Sequence, residues 1–380
     1  MTLFIILTSL LVASGAFMSF LYISPLSVSE NSTNIDKFEY LDDWLTKLNE
    51  KGRFNGAVVL ARGDEVLFSH SYGFQDLDEA ISLSENSLFN LASVSKQFTS
   101  MAIVLLNHKE KLSYEDRITQ YIPELDLFND VTIEHLLHHT SGIPDYISLA
   151  SKEWDDAKVL KTSDVIKLLK DSLSSLKFVP GEKFEYSNTG YVLLAEIVKR
   201  ASGKSFSEFM MHNVFVPAEM NHTEVFNLLS EQEPQNRVYG YKKRHWLFGG
   251  EKQLKDLNYF DGVTGDGAVY SSAMDLFKWN QAISEGKIVP KLEYDRAFKS
   301  GRLNDGKDTG YGYGWFIKEK GIVEHAGGWQ GFASYIYKDI PKKHLIVVLD
   351  NSSNVLRVTS HGFRFNSICL NLQSLMNKIE

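Results

Sequence analysis

Residues 93–107 place the strongest constraint on how this chain can fold. Val94, Phe98, Met101, Ala102 and Leu105 recur at i, i+4, i+7, i+8 and i+11, one face of an α-helix. Ser93, Lys96, Gln97, Ser100 and Asn107 fall on the opposite face. Such a helix must lay its apolar side on a core, and the other side is a polar stripe that starts at Ser93. Lys96 lies one turn on, so its amine can reach the Ser93 hydroxyl. A serine alcohol is a weak nucleophile until an adjacent base takes its proton. A lysine becomes such a base when desolvation lowers its pKa. The free N–H groups of a helix start favour developing negative charge. Taken alone, Ser93-Val94-Ser95-Lys96 has a plainer reading, since a serine at a helix start is most often a cap.

The flanking segments say what the helix packs on. Phe38, Leu41, Leu45 and Leu48 make an amphipathic helix with Asp36 near its start. Residues 54–61 and 65–71 read as strands around a Gly63-Asp64 turn, a hairpin. Helix, hairpin, helix suggests a sheet with helices laid on it. Residues 113–222 are mainly helical in pattern, with helices expected over 131–139 and 162–176, the second capped by Ser163. Strands return at 311–317, 321–325, 332–337 and 345–349. A last helix follows, with Ile368, Leu372, Leu375, Met376 and Ile379 on one face. Ser272 and Asp275 have the spacing of a capping box.

Two further stretches can carry chemistry. Tyr186-Ser187-Asn188 follows the Pro180-Gly181 turn and precedes an apolar helix, 192–198. It is either turn chemistry or a phenol and an amide projecting into a cleft. A phenol beside ammonium groups can have a depressed pKa and relay protons. His325-Ala326-Gly327-Gly328-Trp329-Gln330-Gly331 follows a strand, and its glycines either bend the chain or let a backbone approach a ligand. His135, His138 and His139 have a spacing that could suggest a metal site, but a helix leading into a tight loop is the better reading.

Composition narrows the rest. A net charge of -8 argues against non-specific nucleic-acid binding. Cys369 is the single cysteine, so there is no internal disulfide, and it reads as a packing residue. Residues 3–23 carry no charged side chain and fit either a secretory signal or an uncleaved membrane anchor. Residues 24–34 read as a tether. The catalytic part is therefore expected outside the cytoplasm: periplasmic, extracellular or membrane-anchored. Residues 239–258 mix aromatic and basic side chains, including Lys242, Lys243, Arg244, His245 and Trp246, and read as a solvated loop or lid.

Ser93-Val94-Ser95-Lys96, Tyr186-Ser187-Asn188 and His325-Ala326-Gly327 stand in the order of the three motifs of the serine β-lactamase and penicillin-binding superfamily. The Tyr-x-Asn form resembles the class C β-lactamase and D-Ala-D-Ala carboxypeptidase branch. Residues 134–142 and 181–188 are similar to the flanking family text. The resemblance covers about residues 35–351. It implies an α/β (α+β) fold, an antiparallel sheet flanked by helices. A mainly helical domain, 93–258, is inserted between the parts of a sheet domain, 35–92 with 259–380, and the two form one catalytic unit.

The resemblance further implies that Ser93 is acylated, that Lys96 and Tyr186 share its proton, and that Asn188 holds the substrate amide or the Lys96 amine. The N–H groups of Ser93 and Gly328 would form an oxyanion hole, and His325 and Gly327 would line the substrate site. The commoner third motif is Lys-Thr-Gly, so His325-Ala326-Gly327 loses a permanent charge and a hydroxyl donor. Relatives with histidine there include esterases and D-amino-acid peptidases or amidases. A hydrolase acting on an amide or ester of a small-molecule or peptide substrate is expected, with neither cofactor nor metal. The competing reading is a non-turnover binding or sensor protein of the penicillin-binding type. No nucleic-acid partner is expected, and the membrane is met only through the N-terminal segment if it is uncleaved.

Overall fold

The computed structural model describes residues 25–29, 32–243, 252–352 and 363–379. The uncharged run at 3–23 and the basic stretch from Arg244 to Trp246 lie outside the described residues. Among the described residues, no helix is long and apolar enough to cross a membrane.

Residues 25–29, read in the sequence as part of a tether, already join the fold, with Val28 buried in the outer core and Leu26 N–H donating to Asn371 Oδ1 at 2.8 Å, and helix α1 (Asn34–Glu50) follows. Thr33 caps it by accepting from Asp36 N–H at 3.2 Å, while the Asp36 carboxylate accepts from Thr33 N–H at 3.1 Å. Strands β1 (Gly56–Arg62) and β2 (Glu65–Tyr72) form the expected hairpin. The C-terminal segment adds β3 (Phe316–Ile317), β4 (Ile322–Trp329), β5 (Phe332–Asp339) and β6 (His344–Asp350). All six strands form one antiparallel sheet in the order β3-β4-β5-β6-β1-β2. The register Gly56↔Asp350 to Arg62↔His344 joins the two ends of the chain.

Strand side chains alternate between faces, so the two cores divide by parity. Val58, Leu60, Ile346 and Val348 pack with Leu41 and Leu45 of α1, and with Ile368 and Leu372 of the last helix (Phe363–Met376). Ala57, Val59, Val347 and Leu349 pack on the other side with the helix that follows Ser93. Both faces are covered, so β1 and β6 read as unbroken apolar runs rather than alternating ones. Cys369 is buried in the outer core as a free thiol.

Helix α2 (Lys96–His108) is the hub of the inner core, and residues 96–106 are buried on every side. Between Lys96 and Ser100 its polar stripe does not face solvent, while Asn107 at its end is half-buried. Gln97 Oε1 accepts from Trp279 Nε1–H at 3.1 Å, Thr99 donates to Gly265 O at 2.7 Å, and Ser100 meets Tyr191 at 3.3 Å. Helix α3 (Asn188–Ser202) packs along it. A small sheet of Phe89–Asn90, Val269–Ser271 and Thr223–Val225 closes the seam where the chain enters and leaves the helical region.

Several boundaries differ from expectation. The strand expected from Tyr311 begins only at Phe316. Residues 311–315 form a buried loop, because a Cβ on Gly312 would lie 2.0 Å from Ala297 O and Gly314 takes φ +78° against α2. Strand β4 runs through Trp329, so Gly327 and Gly328 lie inside it rather than beyond it. The helix over 131–139 shortens to Ile133–Leu137, and that over 162–176 to Thr162–Ser172, with Lys161 rather than Ser163 at its cap position. Ser272 does cap Ala273–Glu285, but the box is half formed. The Asp275 carboxylate turns instead to His222 N–H and the Thr223 hydroxyl, tying that helix to the small sheet.

Leu45 is fully buried between α1 and the sheet. Leu45→Ala is expected to lower the unfolding free energy by about 3 kcal/mol, the usual scale for truncating a core leucine. Urea unfolding measures it, and an unchanged midpoint would mean that α1 does not cover the sheet.

Candidate active site

The chain reaches Ser93 through a strained residue. Ala92 takes φ +46°, a left-handed conformation that costs an alanine about 1 kcal/mol or more. The Asn90 side chain holds it there, accepting from Ala92 N–H at 2.8 Å while donating to the Tyr270 hydroxyl at 3.1 Å. Residues Ala92–Ser95 then form a 3₁₀ turn, not the first turn of α2. Side chains three apart eclipse in that geometry. Lys96 Nζ accordingly lies 3.2 Å from Ser93 Oγ.

The Lys96 amine is fully buried and has two other neighbours, Asn188 Oδ1 at 2.9 Å and the Asp266 carbonyl oxygen at 2.8 Å. Both are obligate acceptors. A neutral amine with two hydrogens satisfies both and points its lone pair at Ser93. Burial lowers the lysine pKa to about 8, against the opposing pull of the Asp266 and Asp145 carboxylates.

Asn188 begins α3. Its amide is fixed by Asp145, whose Oδ2 accepts from Asn188 N–H at 2.7 Å and Nδ2 at 3.0 Å. Of the two roles open in the sequence, this orientation matches holding the Lys96 amine. The Tyr186 ring lies under that amine, 5.1 Å from centroid to Nζ. Burial raises the phenol pKa, and so do Asp266 and Asp145; the Ser93 hydroxyl offsets part of this. The depressed phenol pKa that neighbouring ammonium groups could give is therefore not found. Tyr186 stays protonated, and its hydroxyl makes no hydrogen bond of ordinary geometry.

Strand β4 brings the third motif alongside. A Cβ on Gly327 would sit 2.4 Å from Leu91 O and 2.9 Å from Ser93 N, so only glycine allows the strand this close to the Ser93 turn. Gly328 faces the open cleft. His325 does not. It is 1% exposed, its Nδ1 lies 2.8 Å from Ala326 O, and its Nε2 lies 3.0 Å from the Tyr311 hydroxyl. Rings of Tyr311 and Phe316 cover it. The three other histidines do not converge either. His135 Nδ1 accepts from Thr132 N–H, His138 bonds Glu134 and Tyr311 O, and His139 accepts from Ser187 N–H while its ring lies tilted against that of Tyr186, centroids 4.2 Å apart. Among the described residues no cluster of three or more candidate ligands is placed to hold a metal.

A cavity of about 210 Å³ opens over Ser93, Asn188 and Gly328. A larger groove of about 980 Å³ lies elsewhere, on the helical face beside Arg200, which is paired with Glu124 and Glu196. Sequence reasoning missed Asp145 and Asp266. Both had a signal: Asp145 directly follows the Gly142-Ile143-Pro144 turn. Asp266 stands between glycines, with Gly265 at φ +104°.

The family model described as Beta-lactamase matches residues 41–361. Penicillin-binding protein 4* of Bacillus subtilis is 39% identical over 326 residues, covering 83% of this chain and 72% of that protein. A penicillin binding protein of Bacillus halodurans superposes with a TM-score of 0.72 at 25% identity, over 87% of this chain and 98% of the other. The D-amino acid amidase of Ochrobactrum anthropi shares the fold, with a TM-score of 0.73 at 21% identity over 88% and 96% of the two chains. The three motifs, the fold that brings the first two into contact and sets the third strand beside them, and the match over most of the chain agree: this protein belongs to the beta-lactamase family.

Proposed function

We propose that this protein is a serine hydrolase that cleaves an amide or ester bond through a Ser93 acyl-enzyme. The observation that carries the reading is the seat of the Lys96 amine. Its two fixed acceptors leave its lone pair for the Ser93 hydroxyl, and burial brings its pKa near the working range. Ser93 Oγ bonds to the acyl carbon as its proton passes to neutral Lys96. The N–H groups of Ser93 and Gly328 receive the oxyanion, each worth ~3 kcal/mol in such sites. The neutral Tyr186 hydroxyl donates its proton to the departing amine or alcohol as that bond breaks, and takes one back from the Lys96 ammonium. Water then adds to the acyl carbon and gives its proton to Lys96, and Ser93 recovers a proton as it leaves. In this reading Lys96 is the base and Tyr186 the acid, since the phenol pKa moves the wrong way for a base. The catalytic part works outside the cytoplasm, a proposal supported by the uncharged run at residues 3–23.

Ser93→Ala is expected to abolish covalent labelling by a fluorophosphonate probe; full labelling would move the nucleophile elsewhere. If the unaltered protein instead releases one equivalent of leaving group and stops, it is an acyl-trapping binding protein. Lys96→Ala and Tyr186→Phe should each lower kcat by roughly 10²-fold or more. Because the two side chains pass one proton, the double variant should fall far short of the product of the single effects.

The active form carries a neutral Lys96, so kcat/KM for an uncharged ester should rise with pH through about 8 and level off above it. A profile that falls over that range would exclude Lys96 as the base.

A further inference from the structure

The cavity over Ser93 has an unusual wall. Among the described residues that line it, the charged side chains are two carboxylates, Asp261 and Asp266, and no lysine or arginine. Three aromatic side chains line it with them. Each carboxylate is held by one of those rings: Asp261 Oδ1 accepts from Trp329 Nε1–H at 2.7 Å, and Asp266 Oδ2 accepts from the Tyr146 hydroxyl at 3.1 Å. Phe260 sits between them, its centroid 6.2 Å from Tyr146 and 6.0 Å from Trp329. Carboxylates interleaved with aromatic faces suit a cation twice over, by charge and by the negative face of each ring. They suit an anion not at all. His325, the residue expected to attract a substrate carboxylate, is buried away from the cavity lining.

We infer that this cavity selects acyl groups that carry an ammonium close to the scissile carbonyl, with Asp261 and Asp266 as the counter-charges and Tyr146, Phe260 and Trp329 as the aromatic wall. The inference rests on the hydrolase reading for its acyl chemistry but not for its recognition. Burial raises both carboxylate pKa values, that of Asp261 to about 7, while Lys96 draws that of Asp266 partly back, and a further positive charge in the cavity favours the charged form of both. The one cation near them, Lys96, is committed to Ser93, Asn188 and the Asp266 carbonyl. A carboxylate-bearing substrate would meet like charge in the same space.

Two arms test this. The first is turnover by the unaltered protein at pH 7, where an α-amino group is mostly charged, of three p-nitroanilides of matched size, with a 2-aminopropanoyl, an isobutyryl or a hemimalonyl acyl group. The expected order of kcat/KM is ammonium, neutral, anionic, with the outer two separated by at least about tenfold, the scale of one partly desolvated cation contact. The second arm needs no turnover: calorimetric binding of 2-phenylethylammonium and 3-phenylpropionate to the Ser93→Ala protein. The ammonium is expected to bind at least about tenfold more tightly, and Asp261→Asn or Asp266→Asn should each shrink that preference severalfold. Carboxylate binding as tight as ammonium binding, in the unsubstituted cavity, overturns the inference and redirects attention to the basic residues 242–245. An ammonium preference in binding without cleavage of any of the anilides or of the matching p-nitrophenyl esters overturns the hydrolase reading and leaves the inference standing. Cleavage without preference does the reverse.

Discussion

The buried amine of Lys96 is the constraint to which the rest of the molecule answers. A lysine out of contact with water is costly unless every hydrogen finds an acceptor and nothing forces it to remain charged. Here its three partners come from separate parts of the chain: the Ser93 turn, the first residue of α3, and the loop at Asp266. Holding them together requires α2 to be enclosed from residue 96 to residue 106, which explains why Gln97 Oε1, Thr99 and Ser100 meet partners rather than solvent. The strain at Ala92 and the closeness of Gly327 belong to the same requirement, since both bring backbone up to the turn that carries Ser93.

Much of this was legible in the sequence, and what was not has physical causes. The hairpin, the α1 periodicity and the three motifs all depend on local patterns, and the structure brings Ser93, Lys96, Tyr186 and Asn188 to one place. The loop at 311–315 escaped because aromatic residues alternate there just as in a strand; only the glycines between them, pressed against Ala297 and α2, say otherwise. The internal fate of the α2 polar stripe could not be read either, because its partners, Gly265, Tyr191 and Trp279, are remote in sequence. The same holds for the role of Asn188, whose orientation is decided by Asp145 across a loop. The direction of the Tyr186 pKa depends on burial and on two acids that no local pattern connects to it.

In the third motif the first side chain is buried beside the site, its ring 6.3 Å from that of Tyr186, and does not line the cavity. In place of a long cationic side chain the chain has an imidazole, short enough to fold under Tyr311 and Phe316 and to be hydrogen-bonded there. The strand keeps its glycine approach to Ser93, so the backbone function of the motif and its side-chain function separate. The two acids of the cleft then set its charge.

The pairing of β1 with β6 also orders events in time. Strand β1 is made early, yet its partner edge is formed by residues 344–350, and every intervening helix is synthesised before that edge exists. Until then the hairpin has an open, apolar strand with unpaired N–H and C=O groups, a template for wrong partners. The inner helices, whose contacts are nearer in sequence, can associate first, and the long-range closure of the sheet comes last. A chain that crosses a membrane before folding would carry that exposed edge through the whole journey. Its maturation then depends on whatever shields β1 until the far end of the polypeptide arrives.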